Sequence, residues 1–353
     1  MSHIKVDQRM LATELALSQP TISRSLRNDP AIGVQTKARV LELAAKLGYQ
    51  PPSRPRPQSR NRDKLANEVL DLGVICRGGP DTDSIHGQVS HRLLRGVTDA
   101  TRGKRTILHV EYLDAAICDR LNEAANWPSL LKTKAVSGLI FTYPLLPQAI
   151  QAVTREVPCI QFTYAGAGAS IDCVTEDNER SMAQLVAHLK SLGHQKIGWA
   201  DFGSFGPSDV ARYRAFPGVL EDHALPFEPN DTKYIRCAVP LEQRAALVAR
   251  HIARRLREGV RGWICQNDFL GYVLCEQLRV LGVRVPQDVS VCGFDNFDPP
   301  RGLPKLTSID APFEAMGSAA VRQLVRRITQ PHLGQIRTMY ASELIEGEST
   351  ARI

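Results

Sequence analysis

The segment LATELALSQPTISRSLRN, residues 11–28, sets the architecture of the first part of the chain. It predicts two short helices joined by a tight turn, at about residues 6–16 and 18–27. Ser18 is a good N-cap for the second helix because its hydroxyl can accept a hydrogen bond from a free backbone N–H of the first turn. Ile22 and Leu26 lie four residues apart and form one apolar stripe. The opposite face of this helix is therefore expected to be polar and exposed.

A third amphipathic segment at residues 34–47 places Val40 and Ala44 on an apolar face. Gly48 and the prolines at positions 51 and 52 end this pattern. Residues 1–52 are therefore expected to form an all-α head. These patterns fit a DNA-binding helix-turn-helix, and they also fit a generic three-helix bundle.

The positive charge of the chain is concentrated at its beginning. Residues 1–64 contain 12 basic and 5 acidic residues, which gives +7, and this equals the net charge of the whole chain. A basic head on a neutral body favours a polyanionic partner, with nucleic acid first among them. The alternative is a basic face that is merely solvated.

From residue 69 onward, short apolar runs alternate with amphipathic segments. Strands are predicted at residues 70–76, 106–110, 136–142, 159–163, 197–200, 263–265 and 290–293, and helices at residues 89–101, 181–192, 210–223, 244–258 and 270–281. Such alternation indicates parallel sheets covered by helices on both faces. The strands are too many for one modest sheet, so we expect two lobes with a ligand cleft at the carboxyl ends of their strands.

Several segments resemble the lactose/galactose repressor (LacI/GalR) family of transcription regulators. In the head, the resemblance lies in residues 11–28 and in the segments TKARV (36–40) and KLGYQP (46–51). In the body, it lies in HLKSLGHQKI (188–197), VPQDVSVCGFDN (285–296), LTSI (306–309), EAMG (314–317) and ELIEGEST (343–350). These segments have the order and spacing of the family over nearly the whole chain outside residues 53–68.

The resemblance implies an all-α helix-turn-helix head and an α/β, two-lobed, periplasmic-binding-protein-like body with two doubly wound parallel sheets. We expect a DNA-binding domain at residues 1–52, a basic, proline-broken linker at 53–68 and an effector-binding and dimerisation domain at 69–353. Lobe one is expected to comprise residues 69–176 and 312–341, and lobe two residues 177–311 and 342–353.

In that family the second helix of the head enters the major groove of DNA. The resemblance therefore assigns Gln19, Pro20 and Arg24 to base edges, and Ser18, Thr21, Ser23 and Asn28 to positions nearer the phosphates. The chemistry agrees, since arginine can bind guanine bidentately and hydroxyl or amide groups suit phosphate oxygens. Pro20 departs from the polar residue common in the family, and it can make only apolar contact, for instance with a thymine methyl group.

The linker departs from the family pattern. A hinge helix of the family wedges a leucine into the minor groove, but the usual spacing from the head places Gln58 at that position. Counting back from the first strand of the body places Leu65 within one residue of it, which favours an insertion and a displaced hinge. The alternative is a basic tether that only adds affinity for phosphates.

Three body residues match the family's effector contacts: Arg212, Asn267 and Asp295. Each is expected at or near the carboxyl end of a strand. An arginine facing a carboxylate and an amide suits vicinal hydroxyls, which favours a sugar-like or nucleoside-like effector. The alternatives are that Asp295 caps a turn and that Arg212 forms a structural ion pair. Further candidates for the cleft are Tyr164, Gln88, Ser90 and His91.

Other classes of protein find little support in the sequence. The eight cysteines form no CxxC pair, the histidines show no metal-ligand spacing, and neither GxSxG nor a Walker loop occurs. Residues 166–170, GAGAS, lack the third glycine of a dinucleotide motif. We therefore expect no metal, no cofactor and no enzymatic activity. The alternative reading is a cytoplasmic binding protein or enzyme with a vestigial head.

The expected partners follow from these assignments. They are double-stranded DNA with a palindromic operator, a small polar effector of carbohydrate type and a second copy of the chain, because two heads must hold two half-sites. No apolar run approaches the ~20 residues that a membrane span needs, and no secretory signal begins the chain. A repressor that acts in the cytoplasm is therefore expected.

Overall fold

The computed structural model describes residues 8–26, 32–47, 69–79, 85–163, 170–203, 206–233 and 239–353. The chain divides into two compact units, Met1–Asp63 and Lys64–Ile353. In the parts described, no helix is long and apolar enough to cross a membrane. The same residues contain no group of three or more His, Cys, Asp or Glu side chains that could hold a metal ion.

The head consists of three helices around a small apolar core. They are α1 (Gln8–Leu15), α2 (Gln19–Leu26) and α3 (Val34–Lys46). Leu11, Ile22, Val40 and Ala44 are buried between them, one or more from each helix. The predicted helix positions and the predicted stripe through Ile22 are therefore confirmed.

The body contains two six-stranded sheets. The first has the order β11-β5-β4-β3-β1-β2, and all its strands are parallel. Its strands are β1 (Leu70–Arg77), β2 (Thr106–Leu113), β3 (Gly138–Phe141), β4 (Cys159–Phe162), β5 (Asp172–Glu176) and β11 (Arg337–Tyr340).

The second sheet has the order β12-β10-β9-β8-β6-β7. Its strands are β6 (Ile197–Ala200), β7 (Thr232–Lys233), β8 (Gly262–Cys265), β9 (Ser290–Phe294), β10 (Thr307–Asp310) and β12 (Glu343–Ile345). The edge strand β12 pairs antiparallel with β10, whereas the other pairs are parallel. The expected pair of doubly wound sheets is confirmed, with this one antiparallel edge as an addition.

Helices cover the sheets, and each sheet has a buried apolar cluster of its own on either face. The helices of the body are α4 (Ile85–Thr101), α5 (Ala115–Cys118), α6 (Ser129–Lys132), α7 (Pro147–Val153), α8 (Asn178–Ser191), α9 (Pro207–Asp222), α10 (Leu241–Leu256), α11 (Asp268–Val280) and α12 (Phe313–Thr329). The described cysteines are free thiols, and all of them are buried.

The chain passes between the two sheets three times. It leaves the first sheet after β5, returns to it after β10 and leaves it again after β11. The first crossover places Glu176, the last residue of β5, and Asn178, the first residue of α8, next to the strand ends of the second sheet. The crossovers thus bring polar residues from both sheets into one site.

Helices α4 and α12 pack unusually closely, and two glycines allow it. A Cβ added to Gly96 would lie 1.9 Å from the carbonyl oxygen of Glu314, and one added to Gly317 would lie 2.2 Å from that of Leu93. Backbone therefore packs on backbone at both points. This close approach explains the glycine in the segment EAMG at residues 314–317.

We predict that Gly96→Ala lowers the free energy of unfolding by about 1–3 kcal/mol, because the methyl group must push the two helices apart. Gly218→Ala is a matched control, since Gly218 is exposed inside helix α9 and an added Cβ meets nothing within 4 Å. Its effect should be neutral or stabilising. Urea unfolding followed by circular dichroism measures both variants, and equal midpoints for them would contradict the packing argument.

Candidate DNA-binding surface and effector site

The polar face of α2 is accessible to solvent. The exposed side chains are those of Ser18, Gln19, Pro20 and Arg24, and the half-buried ones are those of Thr21 and Ser23. Two further residues predicted to contact DNA, Asn28 and Leu65, lie outside the described residues. The candidate DNA-binding surface in the described head is therefore α2 together with the residue that precedes it.

Ser18 and Thr21 also form the beginning of α2. The backbone N–H of Thr21 donates to Ser18 Oγ over 3.2 Å, and the two hydroxyl oxygens are 2.8 Å apart. The predicted N-cap is thus confirmed. Farther along the helix, the Ser25 hydroxyl donates to the carbonyl of Thr21 over 2.8 Å. These hydrogen bonds stabilise α2 and thereby fix the position of Arg24 on the helix, where its side chain is exposed.

In the body, a buried arginine joins the ends of three strands. Arg212 lies on α9 and is only 4% exposed. Its Nε donates to Asn178 Oδ1 over 2.9 Å, and its Nη1 donates to the carbonyl of Gln266 over 2.7 Å. Its Nη2 lies 3.4 Å from Glu176 Oε1 and 3.5 Å from Asp295 Oδ1. Arg212 and Asp295 thus lie together within a larger set of partners, and Arg212 forms the buried ion pair that was given as the alternative to an effector contact.

The guanidinium also stacks on the aromatic ring next to Asp295. Its central carbon lies 4.0 Å from the ring centroid of Phe294, the last residue of β9. Stacking of this kind stabilises a desolvated cation and fixes the plane of the guanidinium. Arg212 is thus held in one orientation, with its donors directed along the strand ends.

Asp295 follows β9 in an unusual backbone conformation. Its φ is 95°, and that of Asn296 is 53°, both in the left-handed region. The Asp295 carboxylate is 4% exposed, and burial raises its pKa, while nearby Arg212 opposes this rise and Glu176 adds to it. Asp295 thus lies in a turn, as one alternative expected, and its carboxylate also lies beside Arg212.

Asn267 has a structural function in addition to its predicted one. It is the N-cap of α11, and its Oδ1 accepts a hydrogen bond of 3.0 Å from the Leu270 backbone N–H. Its Nδ2 carries the two N–H donors of the amide group. The side chain thus presents one donor group close to Gln266, whose carbonyl is bound by Arg212.

Two further carboxylates were not predicted, Asp209, which interacts with Arg212, and Asp201, which interacts with Asp209. Asp201 follows β6 and accepts a hydrogen bond from the Gly203 N–H over 2.6 Å, and Asp209 on α9 accepts one from the Gly206 N–H over 3.0 Å. Burial raises the pKa of Asp209 to about 7, although Arg212 opposes the rise. The site thus combines one arginine with several oxygen acceptors.

The effector contacts predicted from lobe one differ in how far their side chains are exposed. Ser90 is buried, and its Oγ lies 3.0 Å from Thr142 Oγ1 at the end of β3. Gln88 is half-buried, whereas His91 is exposed. Tyr164 lies outside the described residues. The structure brings none of them into contact with Arg212 in the parts described.

Arg92, which was not predicted from the sequence, connects the two sheets near Asp295. Arg92 on α4 donates to the carbonyl of Asp295 over 3.2 Å and to Asp310 Oδ1 over 2.9 Å. It also donates to the carbonyl of Ala311 over 3.1 Å, within the crossover that leads into α12. Its position beside the predicted segment 88–91 was the available signal, but its partners lie more than 200 residues away along the chain.

Comparison with known proteins finds relatives that match nearly the whole chain. Residues 186–350 match the family described as the periplasmic binding protein-like domain. The HTH-type transcriptional regulator MalR of Streptomyces coelicolor is 26% identical over 97% of this chain and 95% of its own length. The arabinose metabolism transcriptional repressor of Geobacillus stearothermophilus is 26% identical over 84% of this chain and 80% of its own length.

Solved structures share the fold. A transcriptional regulator CelR–cellobiose complex has a TM-score of 0.63 at 20% identity and covers 98% of this chain and 99% of its own. The lac repressor dimer bound to operator and the anti-inducer ONPF has a TM-score of 0.61 at 20% identity and covers 99% of this chain and 100% of its own.

The relatives named here are transcriptional regulators rather than enzymes. The likeness to MalR covers 97% of the chain, which includes the helical head as well as the two-sheet body. The protein is therefore a DNA-binding transcriptional regulator, and its fold is that of the lac repressor.

Proposed function

We propose that this regulator represses transcription as a homodimer on a palindromic operator, and that a neutral sugar bound beside Arg212 changes its affinity for that operator. The observation that carries the proposal is the buried arginine among Glu176, Asn178 and Asp295. Two heads related by a two-fold axis match two inverted half-sites, which is why the dimer is part of the proposal.

The proposed DNA contacts come from the accessible side of α2. Arg24 is exposed in the last turn of the helix, where its guanidinium can donate to guanine O6 and N7 together. Gln19 and Pro20 would meet neighbouring bases, and Ser18, Thr21, Ser23 and Asn28 would lie nearer the phosphates. Leu65 remains our candidate for a minor-groove wedge.

The proposed effector contacts come from the strand ends of the body. Asp295 accepts hydrogen bonds, and Arg212 and the Asn267 amide donate them, so a pair of vicinal hydroxyls can be satisfied on both sides. The two Nη2 contacts of Arg212 are long, at 3.4 and 3.5 Å, so this nitrogen can donate a shorter hydrogen bond to a ligand hydroxyl. Gln88, Ser90, His91 and Tyr164 are proposed as the lobe-one side of this site.

The names of related proteins support a sugar as the effector. One structural neighbour is a complex with cellobiose, and another, from Enterococcus faecium, contains bound ribose. A relative in Geobacillus stearothermophilus is a repressor of arabinose metabolism. A ligand that binds one arrangement of the two lobes better than another would shift the protein between them.

We predict that Arg24→Ala weakens binding to the operator by ~1–3 kcal/mol and relaxes the base preference at one position of each half-site. Arg39→Ala is the matched control, because Arg39 is an exposed arginine of the head on α3. It should weaken binding to all sequences alike or have no effect. Fluorescence anisotropy at fixed salt measures both variants, and unchanged operator affinity in Arg24→Ala would refute the assignment of α2.

We predict that Asp295→Asn lowers the affinity for the effector at least tenfold, because the lost charge weakens hydrogen bonds worth ~1.5–3 kcal/mol each. Asparagine is the sharper substitution, since it tolerates the left-handed backbone of this position better than alanine. Calorimetric titration with D-ribose, L-arabinose, D-galactose, cellobiose and adenosine identifies the ligand and measures the loss.

Asp298→Asn is the control for this experiment, because the Asp298 side chain is 99% exposed three residues away. It should bind the effector as the wild type does. Both variants should bind the operator normally without effector, since the head is a separate unit. An Asp295→Asn protein that keeps its full effector response, or that no longer binds DNA, would contradict the proposed site.

A further inference from the structure

The turn that carries Asp295 is hydrogen-bonded to a fully buried pair of polar residues. Asp268 lies in the first turn of α11 and Ser308 lies on β10, and both are 0% exposed. The Ser308 hydroxyl donates to the Asp268 carboxylate, whose two oxygens are each 2.8 Å from Ser308 Oγ. Burying such groups is costly unless they are hydrogen-bonded to one another or to the backbone.

The backbone partners of this pair are the two residues after Asp295. The Asn296 N–H donates to Ser308 Oγ over 3.1 Å, and the Phe297 N–H donates to Asp268 Oδ2 over 2.9 Å. Asp295 itself donates its N–H to the carbonyl of Ile309 over 2.7 Å. Three successive backbone donors are thereby bound to β10 and α11.

This fastening matters because the turn is unfavourable by itself. Asp295 and Asn296 have φ values of 95° and 53°, and two consecutive non-glycine residues in the left-handed region persist only where the surroundings hold them. Without the three bonds, the chain after β9 would favour an extended conformation. The Asp295 carboxylate would then move away from Arg212.

Strand β9 leaves room for the Asp268 carboxylate because it has a glycine at position 293. A Cβ added to Gly293 on β9 would lie 2.0 Å from Asp268 Oδ1, so the carboxylate occupies the space of a side chain. Glycine at this position of the segment VPQDVSVCGFDN therefore serves the buried carboxylate. The pair, the strand and the turn form one unit that ends in Asp295.

We propose that Asp268 and Ser308 are positioning residues for effector recognition, which act by holding the 295–297 turn and which do not touch the effector. This inference rests on the proposed function of Asp295 as an effector contact. On this proposal, two fully buried residues set the geometry of the effector site, although neither of them contacts the effector.

The test compares two variants that each remove one buried hydroxyl from β10. Ser308→Ala removes the hydroxyl that binds the turn. Thr307→Val is the matched control, because Thr307 is also 0% exposed but its Oγ1 bonds with Thr350 Oγ1 over 2.9 Å and accepts from the Gly347 N–H over 3.1 Å. Ser308→Thr restores a hydroxyl and serves as the conservative rescue.

Hydrogen exchange of the backbone amides gives the readout that needs no ligand. Ser308→Ala should accelerate exchange at Asn296 and Phe297 at least tenfold, whereas Thr307→Val should leave these two amides as in the wild type. Ser308→Thr should return them toward the wild-type rate. Unchanged exchange at both amides in Ser308→Ala would overturn the proposal.

Effector binding gives the second readout, with the sugar from the panel above that binds the wild type. Ser308→Ala should lower its affinity about tenfold, and Thr307→Val should not. In an Asp295→Asn background, Ser308→Ala should have little further effect, because both act through the same contact. An equal loss in both backgrounds, or an equal loss in Thr307→Val, would refute the positioning role. If the wild type binds no sugar of the panel, the proposed function fails and the exchange experiment still decides whether the pair holds the turn.

Discussion

The candidate effector site is held together by the hydrogen bonds and ion pairs of one buried arginine, Arg212. Arg212 binds Glu176 and Asn178 at the first crossover, Gln266 after β8 and Asp295 after β9. A buried arginine is tolerated only when its donors are paired, so the ends of both sheets must supply oxygen atoms at these points. The same acceptors that satisfy the arginine are the groups that can bind the hydroxyls of a sugar.

The local part of this architecture could be predicted from the sequence. Ser18 begins α2 through a hydrogen bond that spans three residues, and Ile22 is buried by its place in the helical period. The alternation of apolar strands and amphipathic helices likewise predicted two parallel sheets. Arg212 and Asp295 were found through the segments around them, which resemble those of a known family.

The remaining part depends on contacts between residues far apart in the chain. Strands β5 and β10 were not predicted because buried polar residues interrupt their apolar pattern, among them Asp172 and Ser308. Each is satisfied by a distant partner: Arg327 donates to Asp172 over 2.7 Å, and Ser308 binds Asp268. Arg92 was not predicted for the same reason, since its partners lie at the end of β10 and in the crossover that follows. Single-sequence patterns contain no information on such pairings.

The proposed coupling between operator binding by the head and sugar binding beside Arg212 can be measured by thermodynamic linkage. The operator dissociation constant is measured with and without saturating sugar, and the sugar dissociation constant with and without saturating operator. If the two sites are coupled, both constants change in the same direction and by the same factor, because a coupling free energy is reciprocal. A sugar that binds beside Arg212 but leaves the operator affinity unchanged would show that the two sites are not coupled.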